Sequence, residues 1–298
     1  MLSTIKKLQQ KMDALRSYLT PLLPLVNCHM VEFITQDHWE NLVPEHLKKK
    51  LDGWDLNYAV EKFWECAKSP GTTASTCCVE AGGGRGHLLV ALCLGQNIKK
   101  SLFPLRRQLL FIMCFPGLHT CGDLGPASLR IFASRHSIGG VFNVPCCYHL
   151  LSEGDGGHVG FPMSQYLTGE GYKLGRNARM LAAQSIDRVV DERQLPAKSL
   201  LYRALLQVII HTFEHNDSFY LIYLFVKYTV NLQLRQNIHI VILILFYLLR
   251  LCLAQVVESV ILLDRLLFLL ENGFDRVFLV KLFDPVLSPR CHAIVAIR

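Results

Sequence analysis

Hydrophobic and polar positions change period several times along the chain, and each change marks an element. Ile5, Leu8, Met12, Leu15 and Leu19 alternate spacings of three and four, which places them on one helix face. Lys6, Lys7, Lys11, Asp13 and Arg16 fall between them, and Thr20 and Pro21 end the segment. Residues 1–70 read as a helical region that closes on the aromatic-rich stretch Trp54–Trp64 and holds no catalytic constellation. From Thr76 the texture changes. The apolar run Cys77–Ala81 predicts a strand that enters Gly82, Gly83, Gly84, Arg85 and Gly86, with a helix over His87–Leu94 stopped by Gly95. Leu109–Leu118 predicts a second strand tipped by His119–Asp123, with a helix from Ala127 to Ser134 behind it. Gly140–Val144 predicts a third strand, tipped by Pro145–Tyr148. Strand, polar tip and helix in succession indicate a parallel sheet whose carboxyl ends carry the chemistry. Ala178–Ala183, Leu200–Ile210 and Leu253–Leu270 read as helices, the last closed by Asn272 and Gly273. Arg276–Phe283 and Cys291–Ile297, joined through Pro285 and Pro289, predict a closing antiparallel hairpin.

Composition narrows the setting. Hydrophobic residues make up 51% of the 298 and charged residues 18%, with a mean hydropathy of +0.28, so a membrane span has to be considered. The richest stretch, Ile240–Leu249, is bracketed by His239 and Arg250 at about ten residues, half of what a bilayer requires. A buried helix is therefore expected in place of a span. The N-terminus lacks the unbroken apolar core of a signal peptide. Eleven cysteines, several of them inside apolar runs, do not form a secreted disulfide framework, and a reducing compartment, cytoplasmic or nuclear, is expected. The net charge of +7 favours approach to nucleic acid or anionic surfaces without requiring it.

Glu80-x-Gly82-x-Gly84-x-Gly86, between a strand and a helix, is a turn in which missing Cβ atoms let the backbone approach a ligand closely. Its spacing departs from the dinucleotide pattern, and no phosphate-binding Lys-Ser/Thr pair follows. A tight turn without a ligand is the alternative reading. Cys121, Cys146, Cys147, His119 and His149 offer metal-ligand chemistry. The spacing is not that of a Cys-x-x-Cys pair, and adjacent Cys146 and Cys147 on a strand would point to opposite sides, so no metal site is expected.

Several segments then appear in a familiar order: GLHTCGDL (117–124), NVPCCYHLLSE (143–153), GFPMSQYL (160–167), YRALL (202–206), ESVILLDRLLFLLE (258–271) and FDPVLSPR (283–290). Together with the glycine turn, which resembles motif I of class I methyltransferases, they resemble the methyltransferase-like protein 25 family. The likeness covers most of residues 15–298. It implies an α/β fold with a Rossmann-like class I methyltransferase sheet, S-adenosylmethionine as cofactor, and a macromolecular methyl acceptor, RNA or protein. By position it implies that Glu80, Gly82, Gly84 and Gly86 cradle the cofactor and that Cys121 and Asn143 line the cleft at the neighbouring strand ends. The His-x-Cys-Gly and Cys-Cys pair also resembles a tRNA 2'-O-methyltransferase family, which adds a little weight to RNA. Methyl transfer needs donor and acceptor held in line and a base where the acceptor carries a proton. His119, Asp123 and His149 are candidate bases or orienting groups, and Tyr148 could stack on a planar acceptor or cap the cofactor. Asp123 as a helix N-cap and His119 as a core hydrogen bonder are the alternatives.

Two segments depart from that family. Only about thirty residues separate Gly86 from Gly117, and Leu88–Pro116 contains neither Asp nor Glu. The acidic residue that would hold the ribose hydroxyls has no candidate, so the sheet is expected to be incomplete and cofactor binding weak. Asn216–Leu251 reads as an arbitrary apolar insertion and is expected to be poorly ordered. The division expected is a helical region over 1–70 and a methyltransferase domain over 71–298, with atypical segments at 88–116 and 216–251. A catalytically degenerate interaction protein that kept the fold is the alternative function.

Overall fold

The computed structural model describes residues 2–68, 113–154, 159–191 except 185, a few isolated positions between 203 and 210, and 232–298 except 285 and 289. The N-terminal helices are α1 (Leu2–Leu19), α2 (Leu23–Asn27), α3 (His38–Leu42), α4 (Glu45–Leu51) and α5 (Leu56–Lys68). The expected apolar face of α1 is the one that packs: Leu8, Met12 and Leu19 are buried, and Ile5 and Leu15 lie against them. These helices share one continuous core with the sheet side of the protein.

Strands β1 (Met113–Cys121) and β2 (Ile138–Cys146) flank α6 (Leu124–Ser134), and β3 (Arg276–Lys281) and β4 (His292–Ile297) form the closing hairpin. Among the described residues the sheet order is β1-β2-β4-β3, with β1 parallel to β2 and β4 antiparallel to both its neighbours. The strand–helix–strand unit and the hairpin both match the periodicity. The insertion of β4 between β2 and β3, pairing Ile294 with Asn143 on one side and Leu279 on the other, has no signature in either strand alone. Burial shows it: His292–Ile297 is almost wholly buried, as an inner strand must be.

Between sheet and hairpin lie α7 (Gln165–Gly169), α8 (Arg176–Leu181), α9 (Ile186–Asp191) and α10 (Leu232–Glu271). The expectation of poor order over 216–251 fails for 241–251, which is helical with Leu243, Phe246 and Leu251 buried, while 216–231 lies outside the described residues. Helix α10 runs unbroken for 40 residues, about 60 Å. Its sequence has no glycine or proline to interrupt it, and Leu243, Phe246, Leu251 and Arg250 sit in the core with the distal half. Arg250 donates to Val26 O (3.0 Å), which ties this stretch to α2. Val241–Glu271 is long and apolar enough to cross a membrane, yet 61% of its most apolar window is buried against the rest of the protein.

The distal half of α10 buries charges. Asp264 (0% exposed) accepts from Met163 N (2.7 Å), Ser164 N (2.9 Å) and Ser164 Oγ (2.6 Å). Two turns on, Glu271 accepts from Gln165 N and Tyr166 N. Four consecutive backbone N–H groups at the start of α7, which have no partner within their own helix, thus end on two carboxylates of α10. Glu258 accepts from Tyr148 Oη (2.9 Å).

Burial raises the Glu258 carboxyl to about 7, against the Tyr148 hydrogen bond and the Arg290 charge that lower it. A carboxyl raised on folding binds its proton more tightly folded than unfolded. Its stabilisation is complete below the ordinary value of 4.5 and is lost as pH climbs through about 7. Glu258→Gln keeps an acceptor for Tyr148 and removes the ionisation. Urea midpoints should therefore fall with rising pH across this window in the parent protein. In the variant they should fall less steeply, leaving the slope of Asp264, which burial raises to about 6.

Candidate functional site

The site is the pair of carboxyl ends of β1 and β2, in register at Thr120↔Pro145 and Cys121↔Cys146. The ladder breaks between Gly117 and Thr120, where Leu118 and His119 are exposed and His119 takes a left-handed φ of +62°. Gly117 permits the break, because a Cβ there would overlap the Thr120 methyl group. Thr120 turns inward and is buried. Its hydroxyl donates to Val144 O (3.0 Å), with Asn143 Oδ1 at 3.2 Å. Asn143 is fully buried and donates to Ser128 Oγ (2.6 Å) and Gly125 O (3.3 Å). Expected as a cleft-lining residue, it is instead a strut between β1, β2 and the first turn of α6, since every polar atom of its amide has a partner inside the protein.

Asp123 stands at the N-cap position of α6 but makes no side-chain cap bond. Its carboxylate accepts from Ser152 N (2.8 Å), and Gly160 packs so closely that a Cβ would overlap Oδ1. Tyr148 is 1% exposed. Burial, with the Glu258 charge next, raises its hydroxyl well above the ordinary value, and the Arg265 guanidinium lies 5.9 Å from its ring centre. Stacking on an acceptor is therefore not open to Tyr148 in this arrangement: its hydroxyl is committed to Glu258 and its ring to the interior. His149 follows with a buried Nδ1 that has no partner among the described residues. His119 and Cys121 remain exposed at the strand end. Glu80, Gly82, Gly84 and Gly86 lie outside the described residues.

The cysteines are arranged differently from expectation. Strand geometry ends at Cys146, and Cys147 takes a left-handed φ of +46°, so the two side chains do not diverge as strand neighbours would. The Sγ atoms of Cys121, Cys146 and Cys147 all lie within 4.8 Å of one another, Cys121 and Cys146 at 2.9 Å. Burial, reinforced by the neighbouring thiols, pushes Cys146 up to about 12. Sequence reasoning found these residues but gave them strand alternation one position too far. It missed Glu258, Asp264 and Arg265, whose signal was charge inside an apolar helical run.

Residues 96–154, which include β1, α6, β2 and both strand tips, match a family described as "Methyltransferase domain". The mouse protein "Probable methyltransferase-like protein 25" is 40% identical over 223 residues, 61% of this chain and 37% of that protein. The human protein of the same name is 40% identical over 222 residues, 61% of this chain and 36% of that one. The chain is related to methyltransferase-like protein 25. Its match spans a little over a third of the length of these curated relatives. The mixed α/β fold, with an N-terminal helical region and antiparallel strands closing the sheet, agrees with the Rossmann-like methyltransferase fold expected from the sequence. No solved structure matches the chain. Within this methyltransferase-like segment the strut is the simplest feature to test. Asn143→Leu removes the amide that donates to Ser128 Oγ and Gly125 O, while Thr120 keeps Val144 O, and should cost about 1–3 kcal/mol in chemical denaturation.

Proposed function

We propose that the chain is a class I methyltransferase that uses S-adenosylmethionine and methylates a macromolecular acceptor, RNA or protein. One observation supports this reading above the others: the segment matching the methyltransferase domain ends in two parallel strands whose carboxyl tips lie side by side, with His119 and Cys121 exposed there. Ligands of open α/β sheets bind beyond such ends. On that side Gly117 lets the backbone of β1 turn so that Thr120 faces inward and His119 outward, which leaves the tip open to a ligand.

In this reading Glu80, Gly82, Gly84 and Gly86 hold the methionine portion of the cofactor, and the backbone at Cys121 lines the cleft. When bound, the cofactor supplies an electrophilic methyl group on a sulfonium. His119 accepts the acceptor's proton or orients the acceptor. Asp123 keeps the tip loop in place through Ser152. Asn143 and Tyr148 act as positioning residues, the first holding the strand tips and the second tying the β2 tip to α10. The excess of basic residues suits RNA.

A second reading is a methyltransferase fold that no longer binds cofactor. It is favoured by one feature, the absence of any Asp or Glu between Leu88 and Pro116, where the ribose partner belongs. Calorimetric titration with S-adenosylhomocysteine separates the two. The enzyme reading expects saturable heat that Gly84→Val weakens at least tenfold, and His119→Ala should leave that affinity unchanged while lowering kcat by about 10²-fold or more. A flat titration with the folded parent protein favours the scaffold.

A further inference from the structure

The thiols at the strand tips are placed for a task that methyl transfer does not require. Parallel pairing sets Cys121 directly beside Cys146. The left-handed backbone at Cys147 brings a third sulfur to the same spot, so that all three lie within 4.8 Å of one another. A tetrahedral zinc ion with Zn–S bonds of about 2.3 Å separates its sulfurs by roughly 3.8 Å. Cys121 and Cys146 would part by a little under 1 Å to meet that spacing.

An independent feature bears on charge. Arg265 on α10 is 1% exposed, and none of its Nε, Nη1 and Nη2 atoms has a hydrogen-bond partner among the described residues. A buried guanidinium without partners is costly unless a negative group compensates it. Asp264 is already occupied by Met163 and Ser164, and Glu258 by Tyr148. Arg265 lies over the ring of Tyr148, the residue that follows the Cys146–Cys147 pair. The charges of Asp264 and Asp123 act on this guanidinium without a hydrogen bond to it, and a divalent ion bound by three thiolates would add a net charge of −1 on the side of Cys146.

We propose that Cys121, Cys146 and Cys147 form a binding site for a thiophilic d10 metal ion of the zinc class, with Arg265 as buried counter-charge and the fourth coordination position open to solvent. Cys121 is the exposed member of the set and Cys146 the buried one, which gives the ion one side of entry and a closed floor. Three protein ligands with an open position are the pattern of a reactive zinc centre, whereas purely structural sites fill all four. Each thiol releases its proton on binding, so affinity rises with pH.

The test uses the full chain, purified under reducing conditions and loaded with zinc or cobalt alone. Elemental analysis should give one ion per chain, and the cobalt form should show an intense thiolate-to-metal charge-transfer band. Cys121→Ser and Cys147→Ser should each weaken binding at least tenfold, whereas Cys28→Ser, remote from the cluster, should not. Because Cys146→Ser could unfold the buried end of β2, Arg265→Met provides a further readout: it should weaken zinc binding while circular dichroism remains that of the parent. The proposal is overturned if the reduced protein takes up no metal, if binding survives both cysteine substitutions, or if two of the three thiols are tied up in a Cys121–Cys146 disulfide that reduction does not exchange for zinc.

Discussion

The arrangement of the strand tips depends on a hydrophobic helix that buries carboxylates. Asp264 and Glu271 on α10 take the four backbone N–H groups of residues 163–166, while Glu258 takes the Tyr148 hydroxyl. Each contact joins residues about a hundred positions apart, and those of Asp264 and Glu258, which are buried, would be expensive to leave unmade. The apolar faces of α10 hold it in the core without fixing its register. The carboxylates do fix it, because a shift of one residue would turn all three away from their donors. The helix therefore sets where the segment after β2 runs, and with it the floor beneath the candidate site.

Above that floor the work is divided between buried and exposed groups. Thr120, Ser128 and Asn143 form a closed set of hydrogen bonds that locks β1, β2 and α6 together, leaving His119 and Cys121 at the surface. Asp123 braces the loop that follows through Ser152. Among the described residues, the groups left free of that lock at this end are the exposed His119, His149 with its unpartnered Nδ1, and the three thiols.

Much of this was legible in the sequence where local pattern decides local structure. The three-and-four spacing of α1, the strand–helix–strand unit around His119 and the closing hairpin follow from side-chain period, and their bounds agree to within a few residues. The insertion of β4 beside β2 is a pairing choice between distant segments, which no period records. The unbroken α10 was hidden because its two halves looked alien to one another in composition, whereas helix continuity asks only that nothing interrupt the backbone. Asn143, Tyr148 and Cys147 were found as residues and misplaced as side chains. One end of a strand, one left-handed dihedral and one buried carboxylate decide which way each points.

Amide hydrogen exchange at residues 163–166, compared with the core amides of α10, tests this dependence most directly. If the carboxylates of α10 hold the segment, the four amides exchange only through global unfolding, at the pace of the helix itself, and Asp264→Ala releases Met163 and Ser164 ahead of it. Exchange of all four at the rate of an open loop while α10 stays protected would contradict the account.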